Sequence, residues 1–459
     1  MTNNTTRQCV LFKGLSKKII TPRFDQQHSS SDGGAILLKA CDEKLKLSET
    51  MASYLEDDRQ QSKVQHSLKE MFRQRMFSIA CGYPDTNDAA RLAGDPIFKI
   101  LSGRDAIDGD DLASQPSLSR FENRVSRRAL FRMSEGLADT VIQRHKRRKK
   151  KVKLITIDFD PTEDETHGHQ QLSLFNRFYD SWCYLPQAGF LTFDDEVEQY
   201  LFCYVLRPGN APANQGFIGI LKRLLPRLRQ AFPDAQIRIR LDSGFSGPEQ
   251  YEFFEAEGLE YVVCMATNPV LKRLAESAME LVRKDYEKDP DSTPGYRYKK
   301  CLYGAGSWNR KRRLIIKAVI TPHPGREPKE NPRFIITNIK SPAKHIYEHI
   351  YCARGDIENR IKELKLGLKI DRTSCHNFLA NQLRALLTAA AYVLFQELRL
   401  HAKHTRCARA QVETLRLFLL KLGAWVESSV RRVVLHLPSN TPYADDWHRI
   451  ARSVGAIPT

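Results

Sequence analysis

Leu154-Ile155-Thr156-Ile157-Asp158-Phe159-Asp160 is an apolar run that closes on acids, and Gln236–Asp242 (QIRIRLD) alternates and closes on an acid in the same way at a Ser-Gly turn. Both read as β-strands. Gly189–Phe193 and Tyr200–Leu206 (YLFCYVL) read as strands between them, the second stopped by Arg207-Pro208-Gly209-Asn210. Helical spacing marks Gln215–Ala231 and Pro248–Glu257, and Tyr261–Ala266 (YVVCMA) is a further strand. Three consecutive strands, helix, strand, helix, strand predict a mixed sheet with helices packed on it, an α/β layer architecture.

Upstream, residues 1–143 are mainly helical, with apolar positions at helical spacing in Leu68–Ala80 and Leu130–Ile142. Arg144-His145-Lys146-Arg147-Arg148-Lys149-Lys150-Lys151-Val152-Lys153 is the densest charge in the chain. It reads either as a solvated linker or, because it abuts a buried strand, as a phosphate-facing segment. Downstream, Thr267–Ser341 carries strand patterns broken by Pro- and Gly-rich turns, a mostly β insertion. Helices are expected at about 343–368, 378–400 and 411–422, with a late strand at 430–437.

The chain has 459 residues, with 72 Lys and Arg against 54 Asp and Glu, a formal net charge of +18. Such an excess points to a polyanionic partner, nucleic acid before an anionic membrane surface. No run of about 18 apolar residues is present, so no membrane-spanning segment is expected. The N-terminus lacks the pattern of a secretory signal. The ten cysteines are scattered singly with no CxxC pair, which argues against structural zinc and for reduced thiols in a cytoplasmic protein.

Asp160 and Asp242 close neighbouring strands, and Glu358 lies on the helix after the insertion. Carboxylates at adjacent strand ends joined by one from a packing helix suit two Mg²⁺ ions, which prefer oxygen ligands and clamp both oxygens of an in-line phosphoryl displacement. At ~100° per residue from Tyr351, Arg354 falls at about −60°, Glu358 at about −20° and Lys365 at about −40°, one polar stripe. Ile350, Ile357, Ile361, Leu364 and Leu368 form the apolar stripe beside it. An ordinary i, i+4 pairing of Arg354 with Glu358 would contribute only about 0.3–0.5 kcal/mol and leaves Tyr351 and Lys365 unexplained. Trp308 with Arg310, Lys311, Arg312 and Arg313 joins an aromatic to a basic cluster, a base-stacking candidate or a half-buried strand-edge Trp. His167 and His169 lack a third zinc-like ligand and read as loop residues.

Tyr351-x2-Arg354-x3-Glu358-x6-Lys365 resembles the Y-R-E-K signature of DDE transposases from bacterial insertion sequences. Asp158-Phe159-Asp160-Pro161-Thr162 resembles that family's first-acid motif and Arg240-Leu241-Asp242-Ser243-Gly244-Phe245 its second. His167-Gly168-x-Gln170, Arg207-Pro208-Gly209-Asn210 and Ser117-Leu118-Ser119-Arg120-Phe121-Glu122-Asn123 are similar to one subgroup.

The resemblance implies an RNase H-like core interrupted by the β insertion and preceded by a helical region. It divides the chain into a DNA-binding region (1–150), core (151–267), insertion (268–341), core (342–400) and an end-binding or dimerisation tail (401–459). It implies Asp160, Asp242 and Glu358 as the acids holding two Mg²⁺ ions, with Mn²⁺ as a substitute. Asp158 points to the same sheet face as Asp160 and is the alternative first acid or its supporting partner. Tyr351, Arg354 and Lys365 would contact DNA, joined by Trp308, Arg310, Arg312, Arg147 and Lys150. The implied partners are the element's terminal inverted repeats, target DNA and a second copy of the chain. An RNase H-like metal-dependent nuclease and a non-catalytic DNA-binding protein stay open as alternatives.

Overall fold

The structure is a computed structural model that describes residues 10–149, 151–288, 295–323 and 326–457. Its strands are β1 (Leu154–Pro161), β2 (Gln187–Phe193), β3 (Tyr200–Val205), β4 (Gln236–Leu241), β5 (Glu260–Met265), β6 (Tyr296–Tyr303), β7 (Arg312–His323) and β8 (Arg333–Thr337). They form one sheet in the order β6-β7-β8-β5-β4-β1-β2-β3, with Arg326–Glu330 paired to β7. β1, β4 and β5 run parallel, while β2 and β3 are antiparallel to their neighbours. The first five strands thus stand in the order 3-2-1-4-5 of an RNase H-like core.

The principal helices are α1 (Leu68–Ala80), α2 (Arg127–Arg148), α3 (Phe217–Ala231), α4 (Pro248–Ala256), α5 (Pro269–Lys288), α6 (Asp356–Leu368), α7 (Phe378–His401) and α8 (Ala444–Val454). α1 begins at a capping box, Ser67 accepting from the Glu70 amide while Glu70 accepts from the Ser67 amide. α7 starts where the Asn377 side chain accepts from Leu379 N, and it runs buried through the middle of the molecule. It packs on α1, α2 and β3, so a single apolar cluster joins the N-terminal helices to the sheet.

The sheet is buried on both faces where the site is held. Val263, Leu314, Ile316, Phe334 and Ile336 point into the large cluster. Val262, Ile315 and Ile335, one residue out of phase, point the other way onto Ala343, Ile346, Tyr347 and Ile350. Strand alternation thus seats the segment that leads into α6 directly on β5, β7 and β8.

A buried polar network fixes α6 to α7. The Glu363 carboxylate on α6 accepts from Arg399 Nη2 (2.5 Å), Tyr392 Oη (2.8 Å) and the Val412 amide (2.8 Å). Arg399 also pairs with Glu198, just before β3, at 2.8 Å.

Several expectations are corrected. The basic run is no linker: Arg144–Arg148 are the last turn of α2. Arg144 is buried with its guanidinium over the Tyr200 ring (4.5 Å), Arg148 pairs with Glu196, and Lys149 bonds Asp194 (3.0 Å). The interval after β5 opens with the 20-residue helix α5, and its long strands extend the main sheet. The helix predicted over 343–368 changes winding, π over Ile346–Tyr351 and 3-10 over Cys352–Gly355, before α6 begins. In place of the helix expected over 411–422 there is a short helical turn at Val412–Leu415 followed by a π turn; the late strand is present at Arg432–His436, paired with Ala424–Ser429, and α8 follows it. α7 is long and apolar enough to cross a membrane, but 89% of its most apolar window is buried inside the protein.

Replacing Glu363 with Leu should lower stability by about 3–5 kcal/mol, because Arg399 keeps its burial and loses half of its compensation. Urea unfolding measures this; a loss below about 1 kcal/mol would show that the network does not hold α6.

Candidate active site

Two parallel strands decide where the acids meet. In the β1–β4 register Asp158 stands opposite Arg240. The two form a buried bidentate pair, Nε to Oδ1 at 2.7 Å and Nη2 to Oδ2 at 2.7 Å, and Gln199 Nε2 donates to Oδ2 at 3.1 Å. Arg240 Nη1 also donates to the Ile350 carbonyl at 3.1 Å, tying both strands to the segment before α6. Asp160 and Asp242 follow two residues later, at the same edge of the sheet. Asp242 caps the turn Ser243–Phe245 by accepting from Gly244 N at 2.9 Å.

Arg354, in the 3-10 turn, places Nη2 at 2.7 Å from Asp160 Oδ1 and 3.5 Å from Asp242 Oδ2. Glu358 is exposed on the first turn of α6. It lies near enough to Asp160 for its charge to matter. Burial chiefly, with the charges of Asp242 and Glu358, pushes the Asp160 carboxyl up to about 7 against the opposing pull of Arg354. Burial works against the charge of Arg354, yet Asp160 and Asp242 raise its pKa.

The other two signature residues turn inward. Tyr351 is half-buried, packed on the apolar face of Val262, Ile315 and Ile335, its ring 5.7 Å from that of Tyr347. Lys365 Nζ donates to the Glu163 carbonyl, just beyond β1. The uniform stripe drawn at 100° per residue does not survive the change from π to 3-10 to α winding. What survives is the contact of Arg354 with the two aspartates, with Glu358 close enough to act on Asp160 through its charge.

The outlying candidates lie elsewhere. Arg312 is buried and bidentate with Glu255 (2.9 Å twice), and Arg310 pairs with the same carboxylate at 2.5 Å. Trp308 is half-buried, edge-on to Tyr251 at 5.0 Å and to Tyr303 at 5.4 Å, with the Arg312 guanidinium 5.3 Å from its ring. Arg147 is exposed on the last turn of α2, and Lys150 lies outside the described residues. Sequence reasoning missed Gln199 and the task of Arg240. The signal available was the second arginine of the alternating strand QIRIRL, two residues before Asp242.

A family model described as Transposase DDE domain group 1 matches residues 12–458. The chain belongs to the DDE transposases. No curated protein sequence matches it. Among solved structures it is similar to the piggyBac transposase synaptic complex with hairpin DNA, determined by cryo-EM. There the identity is 10%, 90% of this chain and 83% of that chain are covered, and the TM-score is 0.42.

Donor chemistry in the transposase suits a hard divalent cation. Asp160, Asp242 and Glu358 offer only oxygen, and the charges of the other two add to burial in raising Asp160. Among the described residues no three His, Cys, Asp or Glu side chains already close into a metal cage. Arg354 supplies positive charge between the two aspartates.

The raised Asp160 predicts a pH signature in chelator-treated protein. Between about pH 4 and 7 the folded state keeps a proton that the unfolded chain has released, so stability falls as pH rises through that window. Asp160→Asn should flatten this slope relative to wild type in melting curves across that range. Identical slopes would contradict the burial assigned to Asp160.

Proposed function

We propose that the protein is a cut-and-paste DNA transposase that acts on the terminal inverted repeats of its own element. The observation that supports this reading most is the pairing of Asp160 and Asp242 at one sheet edge with Arg354 between them, and Glu358 on the first turn of α6 close enough to act on Asp160. A cluster of acids at strand ends in a chain of net charge +18 pairs a cation site with a surface that attracts phosphates.

In this reading Asp160, Asp242 and Glu358 would hold divalent ions, Mg²⁺ with Mn²⁺ as substitute, and such ions would supply charge stabilisation and water activation for in-line phosphoryl transfer. Water cleaves a phosphodiester at the element end and leaves a 3′-hydroxyl. That hydroxyl then attacks a target phosphodiester: a new phosphorus–oxygen bond to the element forms as one in the target strand breaks. No covalent bond to the protein is needed. Arg354 is placed to exchange Asp160 for a DNA phosphate as the acids are neutralised. Lys365 holds the loop after β1 in position around it, and Tyr351 packs against the face of the sheet that includes β5. Exposed cations such as Arg147 add the salt-dependent, sequence-independent part of DNA affinity. Two element ends require two active sites, so the working species is a homodimer.

Incubating the protein with Mg²⁺, a DNA carrying the element ends and a supercoiled target tests the proposal. Joined products are expected; cleavage without joining would indicate a nuclease, and binding without cutting a DNA-binding protein. Asp160→Ala, Asp242→Ala and Glu358→Ala should each reduce cleavage at least about 10³-fold with end binding retained, given the several kcal/mol that metal-held charge contributes to such steps. Robust cleavage by any one of them would remove that residue from the site.

A further inference from the structure

Between β1 and β2 the chain builds a small three-stranded flap from Asp164–Glu165, Leu174–Asn176 and Ser181–Tyr184. It starts a few residues after Asp160. Its inner side is tightly held. Gln170 Nε2 donates to the Thr373 carbonyl (2.5 Å), and Thr373 Oγ1 donates to the buried Asp164 (2.9 Å). The Gln171 amide donates to the His376 carbonyl (3.0 Å), and Tyr184 Oη donates to the Gln171 carbonyl (2.7 Å). Arg207 grips the Leu185, Pro212, Ala213 and Gln215 carbonyls. Gly209 lies flat under the flap: a Cβ there would come within 2.2 Å of the Cys183 carbonyl and 2.4 Å of that of Leu174. The two motifs around Gln170 and Gly209 thus serve to fix this flap.

Its outer side carries exposed aromatic rings. Phe175 and Trp182 stand opposite each other in register, ring centroids 6.2 Å apart, 45% and 58% exposed. Phe178, in the connecting turn, is 86% exposed, and Arg177 beside it is exposed with no ion-pair partner among the described residues. The next residue, Tyr179, is half-buried towards the site: burial first, then the charges of Asp160, Glu163 and Asp242, raise its hydroxyl pKa. Ser181 Oγ donates to the carboxylate of Glu163, whose carbonyl receives Lys365 from α6. Three solvent-facing aromatics and an unpaired guanidinium therefore stand on an anchored flap that leaves the sheet just after Asp160.

We propose that the flap is a base-stacking platform: unpaired nucleobases of the DNA strand entering the carboxylate site lie against Phe175, Phe178 and Trp182, and Arg177 holds an adjoining phosphate. Every base offers a π-face, so aromatic platforms of this kind bind single strands with little regard to sequence. The inference rests on the DNA-processing role argued above and assigns to the flap the stacking task that the sequence pattern offered to Trp308, which is occupied by Tyr251, Tyr303 and Arg312.

The test compares a blunt duplex with the same duplex carrying a short single-stranded overhang, with 5-iodouracil at an unpaired position for photo-crosslinking. Wild type should prefer the overhang, and its crosslink should map to residues 175–182. The double variant Phe178→Ala/Trp182→Ala should bind the overhang about tenfold more weakly and lose the crosslink. Its blunt-duplex affinity, salt dependence and melting temperature should stay unchanged, and Phe178→Tyr/Trp182→Phe should restore the preference. An unchanged preference in the double variant, or equal loss on both DNAs, would overturn the platform while leaving the DNA-processing role standing. So would loss of self-association with DNA binding intact, which would make the flap a contact between copies. A wild-type protein that binds neither DNA would remove the underlying reading as well.

Discussion

The buried pair between Asp158 and Arg240 is the constraint on which the site depends. An arginine and an aspartate cannot both lie inside a sheet unless each compensates the other, and removing one partner of such a pair typically costs about 3–5 kcal/mol. Here both nitrogens of one guanidinium face meet both carboxylate oxygens at 2.7 Å, which fixes β1 against β4 in a single register. With that register set, Asp160 and Asp242 must emerge side by side two residues later. The third nitrogen reaches the Ile350 carbonyl, so the same side chain also fixes where the approach to α6 begins.

The rest of the molecule holds this arrangement from behind. Alternating residues of β5, β7 and β8 bury both sheet faces, and one of those faces receives Ile346, Tyr347 and Ile350. Where the π turn gives way to the 3-10 turn, Arg354 swings between the two aspartates and Glu358 follows on the first turn of α6. Changes of winding of this sort often accompany functional positions in helices. Lys365 holds the loop after β1 and Tyr351 packs against the sheet face that includes β5, so the signature residues divide between the site and its frame. The flap extends the same logic outward, with its polar atoms bound inside and its aromatic rings left outside.

Much of this was legible in the sequence because strand ends and helix periodicity are local properties. The five core strands fall within one or two residues of the runs read from LITIDFD to YVVCMA. The choice of Asp160 over Asp158 rested on its place at the strand end, and the burial of Asp158 against Arg240 accounts for the difference. What was not legible depends on long-range pairing. Nothing local shows that Arg312 points inward to Glu255, that Arg144 sits under α7, or that the strands after β5 extend the main sheet. A dense run of cations reads as solvent-exposed until the acids that meet it, Asp194 and Glu196, are placed in space. The π turn was invisible for a related reason: a uniform helical wheel presumes one winding throughout.

The central claim is that three carboxylates from β1, β4 and α6 share one divalent-cation site. Substituting Fe²⁺ for Mg²⁺ and generating hydroxyl radicals with ascorbate and peroxide cuts the polypeptide next to the bound ion. Peptide mapping should find Mg²⁺-competable cuts near Asp160, Asp242 and Glu358 together, all lost in Asp160→Ala. Cuts confined to one of these segments, or clustered elsewhere in the chain, would contradict a shared site.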